Sequence, residues 1–285
     1  MNKRKYIEEL FDSSFMNFAG ESAEEIRIRI NKPATIIYKD NEFITNEIFD
    51  RSKIERLVEK MTKSSVYTFT KDIADGFITI SGGHRVGIAG TAVYEDGKIK
   101  NIKDISALNI RIAKELKGVG EGVFSEIKRG NKIKNLLVIS PPGGGKTTLL
   151  RDLTRLISDN TPKCRVVVID ERNEISATFM GEPQNDVGKR TDVLCGYGKY
   201  DGVIRAIRSM SPDVVVLDEL GGERDTDAVM KLRYSGVKVI ASLHGETCED
   251  VKKSIPYLIE KNVFDCFLFL DRENSRMITA GEFGC

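Results

Sequence analysis

The sequence predicts an α/β domain built on a parallel sheet, preceded by a smaller α+β domain. Three observations predict it. The second half alternates apolar runs with helical segments, and the runs Val166-Val167-Val168-Ile169 and Val214-Val215-Val216-Leu217 lack the polar alternation of a half-exposed strand. A glycine-rich loop, Ser140-Pro141-Pro142-Gly143-Gly144-Gly145-Lys146-Thr147-Thr148, stands between the apolar run Leu136-Leu137-Val138-Ile139 and a helical segment. The first half mixes short strands with isolated helical stretches instead. At 285 residues the chain has room for two ordinary domains.

In order along the first half, a helix is expected over 5–11, strands over 25–30 and 34–38, and a helix over 54–61. In the last of these, Ile54, Leu57, Val58 and Met61 recur at helical spacing. Strands follow over 77–80 and 86–94. Asp96-Gly97 ahead of Lys98-Ile99 signals a hairpin, because a type I′ turn needs positive φ at both central residues. The α+β domain is expected to span 1–115, and the polar, glycine-bearing stretch 116–135 to be a linker region with a helix over 120–127. The α/β domain then spans 136–285, with strands over 136–139, 165–170, 213–218, 237–243 and 266–271.

Against the pattern G-x-x-x-x-G-K-[ST], the loop departs only at its first position, which is Ser140. Gly143, Gly144 and Gly145 let the backbone wrap a phosphate without Cβ clashes, their N–H groups converging on it. With Pro142, Lys146, Thr147 and Thr148 they form the candidate nucleotide-binding set. Lys146 would reach the β- and γ-phosphates, and Thr147 would offer its hydroxyl to Mg²⁺. The helix that follows aims its positive end at the same anion. A plain glycine-rich turn is the alternative. Strand, loop, Lys-Thr and helix in this order favour a nucleoside triphosphate.

Asp213-Val214-Val215-Val216-Leu217-Asp218-Glu219 has the form of a second nucleotide-site motif. Asp218 would hold Mg²⁺ through a water, and Glu219 would polarise the attacking water. A solvated acidic pair at a strand end is the plainer reading, and the phosphate loop upstream weighs against it. Glu171, in Asp170-Glu171-Arg172-Asn173-Glu174, could supply a further acid; a polar loop accounts for it equally well. A lone histidine is usually structural. His244, however, closes the run Val239-Ile240-Ala241-Ser242-Leu243 and could sense the γ-phosphate. Arg85, Arg111, Arg190, Arg205, Arg208 and Arg224 are the arginines that could meet transition-state charge, and nothing in the residues chooses among them.

A net charge of +1 gives no field of one sign, and no basic-aromatic groove stands out, which argues against nucleic acid as partner. The basic run Lys128-Arg129-Gly130-Asn131-Lys132-Ile133-Lys134 reads as solvated. Five cysteines without C-x-x-C spacing (Cys164, Cys195, Cys248, Cys266, Cys285) support neither zinc nor a disulfide framework; reduced thiols in the cytoplasm are the natural reading. The N-terminal residues 1–10 lack the apolar core of a signal peptide. No apolar stretch approaches the length that crosses a bilayer, so any membrane role is expected to be peripheral.

The order of these motifs resembles the type II/IV secretion ATPase superfamily: phosphate loop, acidic box, apolar strand ending Asp-Glu, then Leu243-His244-Gly245. Within it, the resemblance is to the stage III sporulation protein AA branch. It is carried by Glu25-Ile26-Arg27-Ile28-Arg29, Gly82-Gly83-His84-Arg85-Val86-Gly87, Ser106-Ala107-Leu108-Asn109-Ile110-Arg111-Ile112 and Asn185-Asp186-Val187-Gly188-Lys189-Arg190-Thr191-Asp192-Val193. The resemblance implies a RecA-like P-loop NTPase domain using ATP and Mg²⁺, and assembly as a homo-hexamer. It implies a ring motor with membrane proteins of a secretion-like sporulation complex as partners, powering a channel between mother cell and forespore. It also implies arginines of the N-terminal side closing on phosphate, with Arg85 and Arg111 as candidates. Ser140 departs from the strict loop, and Asp218 stands where many secretion ATPases carry Gly. The competing reading is a nucleotide-gated scaffold that assembles on a membrane partner with little hydrolysis.

Overall fold

The computed structural model describes residues 3–20, 22–63, 73, 76–271 and 275–283. The chain forms two compact units, 1–115 with 177–184, and 116–176 with 185–285.

In the first unit, strands β1 (Glu25–Arg29), β2 (Pro33–Ile37), β3 (Glu42–Ile48), β4 (Phe77–Ile80), β5 (His84–Glu95) and β6 (Lys98–Arg111) make one antiparallel sheet in the order β3-β2-β1-β6-β5-β4. Ile26 and Ile28 of β1 are buried with Ile36, Ile80, Val86, Leu108 and Ile110, against the helices Lys3–Leu10 and Arg51–Met61. The intervening Glu25, Arg27 and Arg29 take the other side of the pleat. Helix Arg51–Met61 buries Ile54, Leu57, Val58 and Met61 and starts where the Asp50 side chain accepts from the Lys53 N–H at 2.8 Å. Asp96 and Gly97 both hold positive φ, 51° and 76°, and turn β5 into β6.

The second unit is a seven-stranded sheet: β9 (Leu136–Ser140), β10 (Val166–Asp170), β11 (Thr191–Cys195), β12 (Val214–Leu217), β13 (Lys238–His244), β14 (Cys266–Phe269) and β15 (Arg276–Thr279), in the order β11-β10-β12-β13-β9-β14-β15. All neighbours run parallel except β14 and β15. Strands β9, β10 and β12 are buried throughout, and their alternate residues supply two different core layers. Leu136, Val138, Val166, Val168, Val214 and Val216 pack with Leu149, Leu150 and Leu153 of helix Lys146–Asn160. Leu137, Ile139, Val167, Ile169, Val215 and Leu217 pack with residues of helices Lys199–Ser209 and Glu223–Tyr234. The sheet is thus covered on both faces, and the carboxyl ends of six strands share one edge.

Residues 116–135, read from sequence as a linker region, belong to this second unit. Helix Glu121–Ile127 leads into the short hairpin β7 (Lys128–Arg129) and β8 (Lys132–Ile133), with Ile127 and Ile133 buried in its core. The Gly120 N–H donates to Asp152 Oδ2 at 2.9 Å and anchors the start of that helix. The basic run is therefore a folded hairpin. Cys164, Cys248 and Cys266 are free thiols; Cys285 lies outside the described residues, as do Met1 and Asn2 of the N-terminal stretch. No helix among the described residues is long and apolar enough to cross a membrane.

Candidate nucleotide site

The glycine-rich loop leaves β9 and enters helix Lys146–Asn160 through Gly143 and Gly145, at φ 73° and 91°. Only glycine takes that left-handed backbone freely. A Cβ at Gly144 would run into Ser140 Oγ and press on the Pro141 carbonyl, so a side chain there would force Ser140 to turn away. Ser140, the departure from the pattern, is buried and accepts from Lys146 Nζ through its carbonyl at 2.8 Å. Lys146 also donates to Pro141 O at 3.0 Å. Burial lowers the pKa of its ammonium from the ordinary value, against the opposing pull of Asp218 and Glu219.

His244 pairs in register with Ser140 across β13 and β9, which sets its ring beside the loop. Its Nδ1 lies 3.0 Å from Lys146 Nζ and its Nε2 2.9 Å from Glu219 Oε1. An ammonium can only donate, so Nδ1 accepts and Nε2 carries the proton that points at Glu219. Thr147 Oγ1 donates to Asp218 Oδ2 at 3.2 Å. Ser242 Oγ donates to Asp218 Oδ1 at 2.6 Å and accepts from the Glu219 N–H at 2.9 Å, which holds both acids at the end of β12. Glu219 itself sits at φ 50°, a left-handed bend that turns its side chain back over the strand end.

The structure thus brings together Lys146, Thr147, Asp218, Glu219 and His244. Glu171 does not join them: its carboxylate pairs with Lys199 Nζ at 2.7 Å, and Lys199 in turn reaches Asp225 at 3.4 Å. The next residue, Arg172, takes the place expected of Glu171, with Nη1 2.5 Å from Glu219 Oε2. Asp170 is buried and structural, accepting from the backbone of Glu174, Ile175 and Ser176. Arg85 and Arg111 are register partners in the first unit, on β5 and β6. Arg85 stacks 3.7 Å from the centre of the Phe77 ring, and Arg111 lies 3.4 Å from Glu25. Arg205 and Arg224 lie over Tyr197 and Tyr200, and Arg190 donates to the carbonyl of Asp159. Arg208 is exposed in the last turn of helix Lys199–Ser209.

The residues fit a phosphate with a divalent cation. Loop amides, a helix N-terminus and a buried ammonium converge, and the Thr147 hydroxyl and Asp218 carboxylate face each other beside them. Ser242 and Arg172 were not named by sequence motifs. A serine inside an otherwise apolar run was the available signal for Ser242; Arg172 meets Glu219 across 47 positions of chain, where spacing carries no signal.

The family model for sporulation stage III, protein AA, matches residues 5–283. The chain belongs to the stage III sporulation protein AA family. In that family it is 39% identical over 254 residues to the Stage III sporulation protein AA of Bacillus subtilis (strain 168), covering 87% of this chain and 82% of that one. Among solved structures, the pilus retraction motor PilT with bound ADP is similar at a TM-score of 0.62 and 16% identity, over 90% of this chain and 76% of that chain. The Legionella pneumophila ATPase DotB is similar at 0.60 and 15% identity, over 95% of this chain and 82% of that chain. These likenesses show the fold: the family's second unit here is the RecA-like P-loop domain found in secretion ATPases, behind a β-rich N-terminal part.

Proposed function

We propose that this chain binds and hydrolyses ATP with Mg²⁺, working as a homo-hexameric ring motor on membrane proteins of a secretion-like complex in endospore formation. The observation that carries the reading is one hydrogen-bonded chain from the phosphate loop to the acid that would serve as base, Lys146–His244–Glu219. The similar proteins support it: DotB is an ATPase, PilT a pilus retraction motor with bound ADP. The family is named for a stage of sporulation.

Residues 142–148 would hold the phosphates, with Thr147 and Asp218 holding Mg²⁺. Mg²⁺ supplies charge neutralisation on the phosphate oxygens. Glu219 accepts a proton from the attacking water. His244 keeps Glu219 aligned through its Nε2–H and reports the position of Lys146 through Nδ1. Lys146, already stripped of much of its water, presents its ammonium at the loop. Arg85 and Arg111 are proposed, on the family resemblance alone, to meet phosphate in the assembled ring.

A specific observation favours a second reading, the nucleotide-gated scaffold. Both oxygens of Glu219 are engaged, one by Arg172 and one by His244, as in a site where hydrolysis is switched off. Glu219→Gln separates the two readings. For a motor it removes turnover and complex function together, while ATP-driven assembly persists in sedimentation. For a scaffold it leaves complex function intact.

A further inference from the structure

We propose that Arg172 is a cation for the terminal phosphate of the nucleotide, stored on Glu219 until that phosphate arrives. The inference rests on the nucleotide reading above and adds a residue that no motif names.

The backbone under Arg172 is fixed while its head is not. The buried Asp170 carboxylate accepts from the N–H groups of Glu174 at 2.9 Å, Ile175 at 3.3 Å and Ser176 at 2.8 Å, and from Ser176 Oγ at 2.6 Å. That set pins the turn on which Arg172 rides. The Arg172 side chain is 66% exposed, so its contact with Glu219 is not locked in place by packing. Strands β10 and β12 are parallel neighbours, and Arg172 and Glu219 both lie two residues past their ends. They therefore emerge at the same carboxyl edge of the sheet as the phosphate loop.

The chemistry of the contact points the same way. Arg172, Glu219, His244 and Lys146 form an unbroken series, 2.5, 2.9 and 3.0 Å from one to the next, ending at the loop that would carry the phosphates. A guanidinium fork matches two phosphate oxygens, and a terminal phosphate carries more charge than one carboxylate. Transfer of Arg172 from Glu219 to phosphate does two things at once. It adds a cation to the phosphate, and it leaves one oxygen of Glu219 open to the attacking water. No bond is made or broken in the exchange. The alternative is an ordinary exposed ion pair, which contributes little to anything.

The test is the affinity of the full chain for ATP and for ADP, each with Mg²⁺, in the wild type, Arg172→Ala, Arg172→Lys, Glu219→Gln and the Ala/Gln double variant. Arg172→Ala is expected to weaken ATP by about tenfold or more, the scale of a charge-assisted hydrogen bond, and ADP by less than about twofold. Arg172→Lys should recover part of the loss. Glu219→Gln should tighten ATP binding only where Arg172 is present, since it removes the competing carboxylate. Equal effects on ATP and ADP, or none, overturn the proposal; they leave the nucleotide reading standing if Lys146→Ala still loses both ligands. A wild type that binds neither nucleotide overturns both.

Discussion

Ser242 lies beneath both acids of the site, and its hydroxyl is the smallest group that could serve them together, donating to Asp218 and accepting from the Glu219 amide. Its place inside an apolar strand shows how residue-scale legibility works in this chain. Lys146, Thr147, Asp218, Glu219 and His244 follow a loop or a strand in motif order, so sequence alone pointed to them. Glu171 and Arg172 are adjacent in one turn, and the turn alone decides which faces Glu219. Spacing could not have separated them. His84 belongs to the same scale. It is buried, accepts from the Ala113 N–H at Nδ1 and donates from Nε2 to the Lys3 carbonyl at 2.7 Å. Burial pushes its pKa down to about 4 from 6.5. The unfolded chain therefore takes up a proton that the folded chain refuses between those values. The stability tied to neutral His84 is present above pH 6.5 and is lost as pH falls toward 4. Between pH 7 and pH 5 the first unit should lose about 2 kcal/mol on this account. Denaturant unfolding at the two pH values checks it: His84→Gln should flatten the slope, and an unchanged slope would refute the assignment.

Among elements, the strands missed in the sequence are the outer or the very short ones. β3, β11 and β15 are outer strands of their sheets with a single buried residue each, so their apolar signal is thin, and β7 and β8 are two residues long, too short for any periodic signal. The interior strands β9, β10 and β12 were legible because burial on both faces demands unbroken apolar runs. The excursion 177–184 was not legible either. It leaves the second unit after Ser176, joins the first, and returns at Asn185. Its tip is a two-residue turn, Met180-Gly181, at φ 49° and 85°, closed by the Phe179–Glu182 pair. Phe179 is 4% exposed in the first unit's core, and the Gln184 Oε1 accepts from the Gly82 N–H at 2.8 Å. Asn185 ties the return by donating to the Ile175 carbonyl at 2.8 Å, which gives part of the Asn185–Val193 signature a structural purpose. Phe179→Ala should destabilise the first unit by about 3–5 kcal/mol, whereas Met180→Ala, at an exposed position, should cost little. Equal unfolding midpoints for the two variants would contradict the packing described.

At the scale of the whole molecule, the proposed function is an ATP-driven motor made of a RecA-like domain and a β-rich unit. The ring reading adds an expectation at this scale: turnover per chain should rise with protein concentration as copies assemble. The proposed hydrolysis is tested by Mg²⁺-dependent phosphate release from ATP by the purified full chain, followed across protein concentration in the wild type, Lys146→Ala and Glu219→Gln. Release that climbs with concentration in the wild type and falls by about a hundredfold or more in both variants is the predicted result. Wild-type turnover that survives in Glu219→Gln would contradict it, because the carboxylate at the end of the Lys146–His244 series would then not be the base.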